Sequence, residues 1–565
     1  MAAPNIEEDY KPGMLPYPES ENRKDFCKYH WKGLMVLLVP ILLCPLLFVN
    51  NSFVLPQRMI YLGCCVYIYY IFNLISQGAI AFIYIVLVPV MGIASSKDCA
   101  KYYYVELLFV TYGSIFAGIM MDASKLSERL AMWVIKITGS SMLLLQFVLM
   151  IGTFLCSILF NSTFISAIWM KIAMAVMKEF KAAGVLETES DEETYERQSI
   201  PYPTNPAIGV YLTVCYASTL GAMISIFQEP NYLIHKTFKK HLEDKEPGKG
   251  IILLMGPAFI GLIFVWISIV FFFFGYFRVG IFKNNKTREM VREASAGKDT
   301  LRNAMNAKKD AMGPWGVYPI LVFIMLIVTL PVLLTRHPLI FWGWGDELRA
   351  EHGDQGASVA LILMAILWFA IPANYAFCRY YCCIQPAKPG KSPSLIGWNK
   401  ANADTPWAHI FMLGSAFSGS YALKAAKVYE LIGDHLVKIG LERKGAAIHG
   451  AIIGTSFAAL VPGCGVSRFG LQTMIDAGLR LKLGAGAVAI AFSSALHISF
   501  LLPVSAPANT IVAGWANIRP YQFMIGGWLP TLASFLTTWL FSVAFADTGY
   551  PGHDDEEAEM LTTSK

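Results

Sequence analysis

Residues 497–518, HISFLLPVSAPANTIVAGWANI, place two prolines, Pro503 and Pro507, and two small polar residues, Ser505 and Asn509, inside an otherwise apolar run. Proline has no backbone N–H and breaks the helical ladder. In hydrocarbon each freed backbone group costs several kcal/mol unless protein or a water-filled cavity satisfies it. A broken apolar run at membrane depth therefore points to a solute site, because a discontinuous helix turns its backbone dipoles toward whatever fills the gap. The plain packing alternative is a proline kink between two buried helices.

The elements around this stretch must hold it within a bilayer. Of 565 residues, 55% are hydrophobic and 15% charged, against about 25% charged in soluble proteins, and mean hydropathy is +0.49. Apolar blocks of spanning or near-spanning length occur at about 31–49, 59–75, 77–95, 104–121, 141–160, 206–227, 251–277, 316–335, 357–378, 445–461, 484–502 and 522–546. Shorter apolar pieces at about 129–139, 163–178, 407–423 and 466–480 read as interfacial helices or arms of re-entrant hairpins. The expected fold class is an all-α polytopic membrane protein. It has a charged segment at 1–30 without a signal-peptide pattern, a membrane unit at 31–546 and an acidic tail at 547–565.

The two halves echo each other weakly. A spanning block runs into a polar or glycine-rich break at Phe160-Asn161-Ser162-Thr163 in the first and at Pro462-Gly463-Cys464-Gly465 in the second. A later block ends in Glu229-Pro230-Asn231 and in Pro507-Ala508-Asn509. Paired interruptions of this kind point to inverted repeats, at about 59–235 and 316–518, with a site at their interface.

The segment LLPVSAPANTIVAGWANI resembles the family of sodium-coupled dicarboxylate, citrate and sulfate carriers (divalent-anion:sodium symporters), and within it the insect INDY-type citrate and dicarboxylate carriers. YHWKGLMVLLVPILLCPLLF, VPVMGIASS, FWGWGDEL, IPANYAFCRY and SPSLIGWN extend the resemblance over nearly the whole chain. It implies about eleven transmembrane helices, two re-entrant hairpins, and a homodimer in which transport domains move like elevators against a scaffold. It also implies a plasma-membrane carrier whose Ser-Asn-Thr-type motifs hold a carboxylate anion while neighbouring oxygens bind Na+. Carried over residue by residue, substrate binding falls on Asn161, Ser162, Thr163, Gly463, Cys464, Gly465, Ser505, Ala506, Pro507 and Asn509. Ion binding would fall on Asn161, Asn231 and Ser505.

This chain departs from the pattern. Phe160 replaces the leading serine of the first motif; Gly463-Cys464-Gly465 lacks both serine and asparagine; Ala506 and Ala508 replace a threonine and a proline. Each lost charge-assisted hydrogen bond is worth about 1.5–3 kcal/mol, so carboxylate transport that is sodium-independent or only weakly coupled to sodium is the leading expectation. A transport-inactive paralogue acting as an interaction or sensor protein is the alternative. Arg468 and Lys171 are charges the family lacks. One reading has Arg468, alone or together with Lys171, supply the positive charge that sodium supplies elsewhere; in the other each pairs with an acid such as Glu229 or Asp476, or snorkels to the interface.

Other features narrow the function. No nucleophile–base pair, phosphate loop or metal spacing is present, so an enzyme is not expected, nor a cofactor. His235, His409, His449 and His497 are isolated, although His497 could titrate near a substrate. The run 278–314 carries nine Lys and Arg, which marks a cytoplasmic loop; without a groove-binding module it is no nucleic-acid patch. The loop 236–249 is also basic and conflicts with that topology. Asn50 is a better glycosylation acceptor than Asn161 or Asn285. Cys64–Cys65 and Cys382–Cys383 are acylation candidates if they lie near a cytoplasmic face.

Overall fold

The computed structural model describes residues 19–49, 53–192, 200–225, 248–278, 284–336, 343–345, 347–348, 356–383, 390–442, 473, 480 and 496–549. The described chain is helical, with only two isolated β-bridges, Glu189–Pro203 and Pro372–Ser394, and no strand. In order the helices are α1 (Glu19–Leu43), α2 (Val54–Ile71), α3 (Gln77–Ile80), α4 (Ile83–Val90), α5 (Ser96–Lys101), α6 (Glu106–Ala123), α7 (Leu126–Thr138), α8 (Met142–Leu159), α9 (Ser162–Ala182), α10 (Asn205–Ile224) and α11 (Gly248–Phe272). After them come α12 (Asn285–Ala296), α13 (Lys298–Met312), α14 (Val317–Leu334), α15 (Ala357–Ala370), α16 (Ala376–Cys383), α17 (Trp398–Asp404), α18 (Trp407–Ala425), α19 (Val428–Glu442), α20 (Pro507–Ala516) and α21 (Pro520–Gly549).

Seven described helices are long and apolar enough to cross a membrane: His30–Phe48, Ser96–Ala123, Met142–Leu159, Asn205–Ile224, Met255–Phe272, Val317–Leu334 and Pro520–Phe541. Helix α10 is the innermost, with every residue from Pro206 to Ile224 buried. A helix apolar on all sides belongs in the centre of its bundle; α8, α9, α11 and α20 pack around it.

Several expected elements take another form. The block 77–95 is not one span but α3 and α4, interrupted at Ala81–Phe82, where the Tyr103 hydroxyl donates to the Ala81 carbonyl and stabilises the break. The block 357–378 ends at Ala370, and Ile371 is extended. The pieces at 163–178 and 407–423 are helices, α9 and α18, and neither is among the seven that are long and apolar enough to cross. The basic run 278–314 contains α12 and α13, amphipathic helices that pack on α8, α9 and α10. There Ser140 donates to the Ser295 carbonyl at 2.9 Å, and Arg129 donates to the Met312 and Pro314 carbonyls at 3.2 and 2.9 Å. The conflicting loop 236–249 lies outside the described residues up to 247.

One junction occurs twice. A buried helix, α6, passes through Lys125 (φ 59°) into amphipathic α7; another, α18, passes through Lys427 (φ 58°) into α19. The left-handed conformation costs a non-glycine residue about 1–2 kcal/mol. The same strained corner thus ends a buried helix at two places in the described chain.

Candidate substrate site

The proline-interrupted stretch is broken, not merely kinked. Leu502 is extended, Pro503–Ser505 make a single 3-10 turn, Ala506 is extended again (φ −146°, ψ 147°), and α20 begins at Pro507. Side chains downstream satisfy the carbonyls this frees. The Asn509 Nδ2 donates to the Ser499 and Leu502 carbonyls at 2.5 and 3.1 Å, and the Thr510 hydroxyl donates to the Pro503 carbonyl at 2.9 Å. Asn509 is fully buried, and its Oδ1 has no hydrogen-bond partner among the described residues. The buried apolar side chains form two clusters. Ile498, Phe500 and Ile511 belong to one, Leu502 and Val504 to the other. The break therefore straddles the seam between them.

The first-half motif forms the tip between α8 and α9. Phe160 is extended, and Asn161 caps α9: its Oδ1 accepts from the Thr163 and Phe164 amides at 3.1 and 3.2 Å. Such a cap is worth about 1 kcal/mol. It occupies the oxygen and leaves the Nδ2 donors for a ligand, an arrangement suited to an anion rather than a cation. Thr153, Ser157 and Ser166 near this tip are buried, and their hydroxyls make no hydrogen bond among the described residues.

Helices α9 and α20 run side by side in the same direction. The Lys171 ammonium lies 4.0 Å from the centre of the Trp515 ring, a contact made possible by Gly118, where a Cβ would stand 2.5 Å from Trp515 Cη2. At 1.5 Å rise per residue, Lys171 is about 14 Å from the start of α9 and Trp515 about 12 Å from the start of α20. Both C-terminal ends lead to the 183–204 connection: α9 runs into it, and beyond α20 Asn517 donates to the Ile200 carbonyl at 2.6 Å while Arg519 forks onto Glu192 at 2.6 and 2.9 Å. The two N-termini thus lie at one depth, beside the ends of the oppositely directed α8 and α10. A Cβ on Gly221 of α10 would stand 2.5 Å from the Phe154 carbonyl of α8. Helix N-termini carry about +0.5 of a charge each and attract anions; the neighbouring C-termini present carbonyls.

The structure therefore gathers Asn161, Ser162 and Thr163 at one helix start and Ser505, Ala506, Pro507 and Asn509 at another. Lys171 stands more than two turns from the tip, over an aromatic ring. Gly463, Cys464, Gly465, Arg468 and Asn231 lie outside the described residues, as do Glu229 and Asp476. His497 is buried. Sequence reading missed Thr510, whose signal was a hydroxyl three residues past a proline. It also missed the Lys171–Trp515–Gly118 contact, which no local pattern announces. At the far end of α9, outside the spanning segments, Lys308 bridges Glu128 at 3.0 Å and buried Glu179. Burial opposes the Glu128 carboxylate, but Lys308 and Lys178 outweigh it and hold its pKa below the usual glutamate value.

Seven helices long and apolar enough to cross a membrane, with a proline-broken segment packed among them, mark a polytopic membrane protein. The chain belongs to the citrate-transporter family, whose model matches residues 67–461. It is 27% identical to "Protein I'm not dead yet" of Drosophila melanogaster, over 97% of this chain and 94% of that one. It is 19% identical to the sodium-dependent low-affinity dicarboxylate transporter 1 of Caenorhabditis elegans, over 91% and 90%, and 21% identical to the Na(+)/citrate cotransporter of Mus musculus, over 91% and 94%.

Proposed function

We propose that the protein carries di- and tricarboxylates, citrate and succinate-like anions, across the plasma membrane without obligatory sodium. The observation that carries this reading is the pair of parallel helix starts, Ser162 of α9 and Pro507 of α20, set at one depth with amides and the Asn161 Nδ2 as donors. A molecule with two carboxylates matches two positive helix ends. The relatives named for citrate and dicarboxylate support the substrate class. Sodium independence is supported by oxygens that are missing or engaged. Gly463-Cys464-Gly465 carries no side-chain oxygen, Ala506 none, and the Asn161 Oδ1 already accepts two amides. In this reading the counterparts at 463–465 close the site from the second repeat, and the protein works as a homodimer whose transport domains move against a scaffold.

Uptake of radiolabelled citrate and succinate by cells bearing the protein at their surface, with sodium or choline as the external cation, tests the proposal. Saturable uptake that survives sodium removal is expected. No uptake of either anion from surface-verified protein would overturn it in favour of the transport-inactive alternative, and uptake abolished without sodium would overturn the ion assignment alone.

A further inference from the structure

Of the two cysteine pairs, the structure separates one from the other. Cys65 is buried in α2 beside Leu62 and Tyr69 and Cys64 is half-buried, whereas Cys382 and Cys383 at the end of α16 are both exposed. None of the eight residues of α16, AFCRYYCC, is buried; Tyr381 is 68% exposed, and Tyr380 and Tyr381 stand edge to face. The helix begins six residues after apolar α15 ends. In a membrane protein, an unburied helix of tyrosines at the mouth of a span sits at the headgroup level.

Its side of the membrane follows from what pins it. The Asn374 Oδ1 accepts from the Ala376 amide at 3.4 Å and the Ser392 hydroxyl at 2.9 Å. The Ala373 amide donates to the Pro393 carbonyl at 2.7 Å, and Tyr318, in the first turn of α14, donates to the Leu395 carbonyl at 2.5 Å. The start of α14 directly follows α12 and α13, which carry Lys286, Arg288, Arg292, Lys298, Arg302, Lys308 and Lys309. That much positive charge faces the cytoplasm. Arg379 lies one turn before Cys382 and Cys383 on the same helical face, placed to meet anionic headgroups and an anionic acyl donor.

We propose that Cys382 and Cys383 are S-acylated by long-chain fatty acyl groups, which anchor α16 in the inner leaflet. A cysteine thiolate attacks the carbonyl carbon of a long-chain acyl–coenzyme A thioester held beside it by a membrane acyltransferase. The bond to the coenzyme A sulfur breaks, the sulfur leaves with the electron pair, and it takes up the proton the cysteine has lost. No oxidant or reductant enters. The pair in α2 is not acylated, because Cys65 is enclosed within the bundle.

Hydroxylamine-dependent mass tagging of the full-length protein from cultured cells tests this. A gel shift is expected in wild type and in Cys64→Ser/Cys65→Ser, and is expected to vanish in Cys382→Ser/Cys383→Ser while surface level and monodispersity persist. A surface-expressed wild type without a shift, or a shift that survives Cys382→Ser/Cys383→Ser, would overturn the proposal.

Discussion

The starts of α9 and α20 are built differently. At α9 the cap comes from the asparagine itself: Asn161 folds its oxygen over the Thr163 and Phe164 amides. At α20 no side chain caps the helix, and Asn509, one turn inside, points its amide nitrogen backward to the Ser499 and Leu502 carbonyls. The first helix start is closed by its asparagine; the second is left open, and its asparagine secures the non-helical segment leading into it. Under the proposed function, the stronger anion contacts fall to α20 and a donor from the Asn161 Nδ2 to α9.

The largest effect is expected at Asn509. Asn509→Leu strips the buried Ser499 carbonyl of its donor, at about 1–3 kcal/mol, and leaves the Leu502 carbonyl only the Ser505 amide; citrate uptake should fall more than tenfold and thermal stability should drop. Uptake near wild type would break the assignment of the open end. Gly118→Ala comes next, because the added Cβ would collide with Trp515 of α20 and crowd Ala167 and Lys171 of α9, pushing α6 off both helices; overpacking of this kind costs about 1–3 kcal/mol. Thermal unfolding should report that loss, and an unchanged midpoint would show that the helices have slack. Asn161 sharpens the comparison further. Asn161→Ala should lose about 1 kcal/mol of cap. Asn161→Asp should recover the stability while uptake stays depressed, because a carboxylate now faces the anion; parallel recovery of both would remove the anion from this tip.

The smallest effect lies at the other end of α9. The folded pKa of Glu128 is below its unfolded value of about 4.3. Its contribution to stability is therefore present above that value and is lost as pH falls through the lower folded pKa. Thermal midpoints of the purified protein should decline slightly in that acid range, and Lys308→Met should flatten the decline. If Lys308→Met also changed citrate affinity, the two ends of α9 would be coupled and the local account of its start would need revision.

What the sequence disclosed follows its chemistry. The break at 503–507 was legible because proline excludes a ladder hydrogen bond wherever it stands. The tip at Asn161 was legible because a polar run between apolar blocks must cap something. The interruption at Ala81–Phe82 was hidden, since every residue from 79 to 91 is apolar and the break depends on a hydroxyl from Tyr103. The lysines at the two left-handed corners have no preference for that conformation, so Lys125 and Lys427 became visible as a pair only in the fold. The cation–π contact of Lys171 spans 344 residues of chain and needed Gly118 as a third party. The helices α12 and α13 were obscured by their own charge, although Asn284 caps the first through the Thr287 amide at 3.0 Å.

The most direct measurement is a structure of the full-length protein in lipid with citrate present and sodium absent. Citrate is expected between the start of α9 at Asn161–Thr163 and the start of α20 at Ala506–Asn509, with carboxylate oxygens on backbone amides. Citrate bound elsewhere, or an unoccupied seam at saturating citrate, would contradict it.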